Sequence, residues 1–267
     1  MKSRLIVISL LVIVFTVFTP GCEEDHGISV QEVLDKSVEA IKEANSSVFE
    51  IETDQEINMP GFDSIAMRTF AAGKSIEDPM AAEIDMQIEM DEMQMDMTIY
   101  LVDDILYMSI PGLGWVKEDI TEDRELAQAF EDPFEYFDML KEADLDNFVM
   151  QKEGDYYLLT YEDETGELVE LMKEQIREEM AYMFFNDPDM DEFFGEVDFS
   201  DLYYSVRINS NTFLPAENRI AFTMTMEMME EKIYIEQDTT IKYLEFGTFD
   251  TITVPDEVLD QAVPIEG

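Results

Sequence analysis

The chain has 267 residues, with 63 acidic against 16 basic side chains, for a formal net charge of −47. That balance argues against nucleic acid as a partner, because phosphate must be neutralised by Lys and Arg. It does not imply disorder, since 46% hydrophobic and 11% aromatic residues can fill a core.

In chain order, Met1-Lys2-Ser3-Arg4 forms a short positive end, and Leu5 to Phe18 is free of charge. This 14-residue apolar run is shorter than the roughly 20 residues a membrane-crossing helix needs. Thr19-Pro20-Gly21-Cys22 follows, so residues 1–21 read as a signal peptide. The Gly-Cys ending resembles a bacterial lipoprotein signal, in which the cysteine becomes the lipidated first residue of the mature protein. Cys22 is the chain's one cysteine and has no intrachain disulfide partner, and lipidation accounts for it. The expected location is the extracytoplasmic face of the cell membrane, reached through an N-terminal lipid anchor. Lys2 and Arg4 leave with the leader, so the body is more acidic still.

Residues 22–28 read as a tether, and residues 29–267 as one domain, because no Pro/Gly/Ser-rich linker divides them. Ser29 with Glu32 forms a capping box, and Val30, Val33, Leu34, Val38 and Ile41 share one helical face. The helix is expected to end near Ala44-Asn45. From Ser47 the period becomes two, with Phe49, Ile51 and Thr53 alternating against Glu50, Glu52 and Asp54. Ile84, Met86, Ile88 and Met90 alternate likewise, and Met93, Met95, Met97, Ile99 and Leu101 resume beyond Asp91-Glu92. Two antiparallel strands joined by a tight turn are predicted there. Further strands are predicted at 105–110 and 115–120, a helix at 133–143, a hairpin over 148–161 and a helix at 166–184. The last third is again β: Leu202 to Ile208, then Phe222, Met224, Met226 and Met228 on one face, then one or two strands over 232–246. A helical turn is expected over 256–262. The arrangement is α+β, with an antiparallel meander.

The 20 methionines could suggest a copper site, because thioethers favour Cu(I). Strict alternation with Ile and Leu points instead to an apolar sheet face, on which flexible, polarizable side chains adapt to varied apolar shapes. Asp187-Pro188-Asp189-Met190-Asp191 opens like a calcium loop, but Glu192 stands where the sharp turn needs Gly. His26, the sole histidine, lies in the tether, which removes Ser-His-Asp and Cys-His chemistry from the domain. No carboxylate pair stands out among so many. No enzyme activity, cofactor or metal is expected.

Four segments carry a family resemblance: Val33-Leu34-Asp35-Lys36-Ser37 through Ile41; Ile105-Leu106-Tyr107-Met108 with Pro111-Gly112 and Trp115-Val116-Lys117; Tyr204 to Ile208 with Thr212-Phe213-Leu214-Pro215; and Ile252-Thr253-Val254-Pro255 with Val258-Leu259. In this order, with Met-rich strands between them, they resemble uncharacterised Gram-positive lipoproteins related to the LolA/LppX-like lipoprotein-localisation superfamily. The resemblance implies a strongly curved antiparallel half-barrel with helices packed on its concave face, and a cavity between them that holds acyl chains. The expected cavity residues are Ile84, Met86, Ile88, Met90, Met93, Met95, Met97, Phe222, Met224, Met226 and Met228. The expected function is non-enzymatic capture of an acyl chain or lipid by a monomer. The alternative is an acidic surface-interaction or sensor-associated module with a closed core.

Overall fold

The structure is a computed structural model that describes residues 27–61, 63–91, 93–121, 145–161, 168–171, 194–228 and 231–264. Cys22, His26, the leader, the helix expected at 133–143, most of that expected at 166–184 and the loop from Asp187 to Glu192 lie outside these residues.

Helix α1 (Val30–Ala44) begins as the capping box requires: the Glu32 N–H donates to Ser29 Oγ at 3.2 Å. Lys36 pairs with Glu32 one turn away at 2.8 Å. Asn45 ends the helix in the left-handed region, where its N–H donates to the Ile41 carbonyl. Its side chain then grips the backbone of Asp78, accepting from the N–H at 2.9 Å and donating to the carbonyl at 2.8 Å.

The strands follow as β1 (Ser46–Asn58), β2 (Ile65–Ile76), β3 (Ala81–Met90), β4 (Met93–Val102), β5 (Ile105–Ile110) and β6 (Gly114–Asp119). After a short 3-10 turn at Leu145–Asn147 come β7 (Phe148–Glu153), β8 (Tyr156–Tyr161), β9 (Phe194–Asn209), β10 (Pro215–Met228) and β11 (Glu231–Phe246). Helix α2 (Asp256–Gln261) and the two-residue β12 (Val263–Pro264) close the described chain. All twelve strands make one open sheet in the order β12-β6-β5-β4-β3-β2-β1-β11-β10-β9-β8-β7. Two meanders, β1 to β6 and β7 to β11, therefore meet at a central seam where β1 pairs with β11.

Strand β2 was not anticipated. Its apolar-face positions are Met67, Thr69, Ala71 and Gly73, which give a weak alternation signal. The region at 232–246 is one strand rather than two. The pairing of β12 with β6 is parallel, an exception to the expected antiparallel meander that the long intervening chain permits.

Directly opposed residues of an antiparallel pair share a face, so the register assigns the layers. On one face, α1 buries Val33, Leu34 and Ile41 in a cluster with Leu159, Tyr161, Tyr204, Val206 and Ile208, joined by Leu168 and Val169. On the other face, Val258 of α2 packs with Tyr100 and Tyr107.

Candidate functional site

The face under α1 can be followed strand by strand. Met97, Met95 and Met93 of β4 oppose Met86, Ile88 and Met90 of β3. Ile84 opposes Ile99, so the whole expected stripe of the hairpin lies on one side. Met86, Ile88 and Met90 in turn oppose Ala71, Thr69 and Met67 of β2, which oppose Ile51, Thr53 and Gln55 of β1. Across the seam those three meet Ile241, Thr239 and Gln237, followed on β10 by Asn218, Ile220 and Phe222. Met224 and Met226 oppose Ile235 and Ile233 on the same face, and Met228 opposes Glu231 at the strand end. The two Met-rich stripes, distant in sequence, thus belong to one continuous surface.

Their burial differs along it. Met224 and Met226 are 8% and 7% exposed and belong to the main core with Phe222. Ile84 and Met97 pack against a second cluster of Ala82, Ile99, Leu101, Leu106 and Ile120. Met86, Ile88 and Met90 are half-buried, while Met93 is 61% and Met95 41% exposed. The structure therefore brings the predicted residues onto one face but divides them: a packed group under α1, and a partly open strip on β3 and β4.

Sequence reasoning missed the band between these groups. At the seam, Gln55 Nε2 donates to Gln237 Oε1 at 3.0 Å, Gln237 Nε2 donates to Thr239 Oγ1 at 3.2 Å, and the Thr53 and Thr239 hydroxyls lie 3.0 Å apart. The signal was available, because Gln55 continues the Phe49, Ile51, Thr53 register with a polar side chain.

The opposite face of these strands is charged. Arg68 binds Asp54 at 2.6 Å, and Arg219 forms a two-pronged pair with Asp238, with bonds of 3.0 and 2.7 Å. These carboxylates hold each guanidinium pKa above its ordinary value. Gln87 and Gln94 donate to Asp96, which lowers its pKa, whereas burial raises that of Tyr100.

Two open hollows, of about 540 and 670 Å³, are lined mainly by this charged side. The first includes Glu50, Glu52, Asp85 and Asp96, with Met86 and Met97 at its apolar edge. The second includes Asp54, Glu89 and Asp238, with Phe222 at its edge. Among the described residues no helix is long and apolar enough to cross a membrane.

No curated protein matches the sequence. Among solved structures, a LolA superfamily protein from Nitrosomonas europaea is similar, with 12% identity, a TM-score of 0.24, and 86% of this chain and 97% of the other covered. An S-type phycobiliprotein lyase from Guillardia theta shows 9% identity and a TM-score of 0.23, with coverage of 85% and 99%. A DUF1329 family protein from Desulfovibrio piger shows 12% identity and a TM-score of 0.24, with coverage of 81% and 92%. Residues 29–263, nearly the whole described chain, match a family model, and the chain belongs to the family of unknown function DUF6612.

Proposed function

We propose that the protein is a lipid-anchored extracytoplasmic receptor that holds a hydrophobic ligand, an acyl chain or lipid, against its methionine strip without covalent chemistry. One observation carries the reading: both methionine stripes occupy a single sheet face, and on β3 and β4 that face is left half-buried to exposed. A chain so acidic has little reason to leave flexible apolar side chains open unless something covers them. Covering ten methylenes gains roughly 8 kcal/mol before the cost of immobilising the ligand. Thioether side chains adjust to ligands of different shape, so no fixed residue set is needed.

Purified, delipidated protein should enhance the fluorescence of an apolar dye such as N-phenyl-1-naphthylamine. Protein taken from membranes should carry lipid detectable by mass spectrometry. Neither signal appearing defeats the proposal. Lipidation is tested separately: Cys22→Ser should abolish incorporation of labelled palmitate and release the protein from membranes.

The placement of both hollows over the charged face favours a second reading, an acidic module that meets a basic partner. Salt-sensitive binding of a basic peptide, with no dye uptake, selects that reading instead.

A further inference from the structure

The polar band at the seam is at odds with a surface built only to hold hydrocarbon. Strand positions 53, 55, 237 and 239 share a face with Ile51, Ile57, Ile235 and Ile241, and β-branched apolar residues there would pair as well and seal the surface. Instead the sequence places two amides and two hydroxyls in a half-buried row, bonded to one another. These bonds do not exhaust the groups. A primary amide offers two N–H donors and a carbonyl with two lone pairs. Gln55 Oε1 accepts no bond among the described residues, and each amide keeps a second N–H.

Charge sets the class. Among the described residues, this face of β1 to β4, β10 and β11 carries no Lys or Arg, and its one acidic position is Glu231 at the start of β11, six residues from Gln237. The basic residues of these strands, such as Arg68, Lys74, Arg219 and Lys242, all fall on the opposite face. A carboxylate laid here would lose its hydration with no cation to meet it, inside a chain of net charge −47. A neutral head that both donates and accepts meets no such penalty.

We propose that Gln55 and Gln237, with Thr53 and Thr239 beside them, form a head-group subsite for an uncharged amphiphile bearing both a hydrogen-bond donor and an acceptor, a hydroxylated acyl ester or an acyl amide. Its chain runs across β2 onto the methionine strip of β3 and β4, roughly 14 Å from β1 to β4 at ordinary strand spacing. This rests on the ligand-binding function proposed above and narrows its substrate class.

The test is displacement of bound dye from the full mature protein by monopalmitoylglycerol and by palmitate, at pH 8. The ester should compete at a concentration at least tenfold lower. In a Gln55→Leu/Gln237→Leu double variant, which removes both partners of the amide bond together, that ratio should narrow to about twofold. A retained circular dichroism spectrum and cooperative melt confirm that the variant is folded; if it does not fold, Thr53→Val/Thr239→Val, which removes the hydroxyl pair of the same band, provides the same comparison. Equal competition by the two lipids, preference for palmitate, or a ratio unchanged in the variants overturns the subsite while leaving hydrophobic capture standing. Absence of dye uptake overturns both.

Discussion

The ring of Phe49 on β1 lies over Gly73 of β2, its directly opposed partner, so closely that a Cβ added to the glycine would stand 2.7 Å from Phe49 Cζ. The same atom would meet the Glu83 carbonyl oxygen at 3.0 Å. Glycine in a strand interior usually weakens it, and alanine usually helps. Here the sign reverses. Gly73→Ala should destabilise by about 1–3 kcal/mol, as overpacked cores do. Urea unfolding measures it, and the cost should shrink in a Phe49→Leu background, because the two positions are in contact. A neutral or stabilising Gly73→Ala removes this account.

The unequal exposure of the methionines predicts an order of oxidation. Dilute peroxide should convert Met93 first and Met95 next, since their thioethers are reachable from solvent. Met224 and Met226, each less than a tenth exposed, should oxidise several-fold more slowly. Peptide mass mapping over a time course gives the order. Equal rates for Met93 and Met226 contradict the division of the face into an open strip and a packed core.

Asp119 illustrates a pH dependence with a defined sign. Its Oδ1 accepts from the Thr121 hydroxyl and from the Thr121 backbone N–H, and these bonds hold its pKa below the ordinary carboxylate value. A carboxylate depressed in the folded state lends stability above its unfolded pKa, and that contribution fades as pH falls through the folded value. Thr121→Val removes the hydroxyl donor but keeps the backbone one, so the Asp119 pKa should rise partway towards normal. Carbon-detected NMR titration of the carboxyl group reads this directly, and an unmoved titration curve refutes it.

Local features were legible in the sequence where one periodicity dominated. Ser29 and Glu32 marked the start of α1, and Asp91-Glu92 marked the hairpin between β3 and β4, because capping and turn chemistry act over a few residues. The apolar identity of one face was legible from Met86 to Met97 for the same reason. Strand β2 was hidden because Thr69, Ala71 and Gly73 contribute little hydrophobic contrast, their neighbours supplying the bulk. The seam was hidden for another reason. Nothing in β1 specifies β11, 182 residues on at the Gln55–Gln237 bond, since such a pairing is chosen by the assembled sheet rather than by local preference. With the seam went the polar band, which exists only once both strands are side by side.

That seam also governs when the molecule can become complete. Strand β1 begins at Ser46, while the partner on its far side, β11, begins only at Glu231, after the nine strands β2 to β10. The first meander, β1 to β6, can pair its own strands, but it carries an unsatisfied edge along β1 until β11 joins it. Long-range closure of this kind is slow and leaves strand edges open to intermolecular pairing. Truncation before β11 therefore removes more than a terminal strand: it splits the sheet at its middle and leaves two halves with nothing to join them.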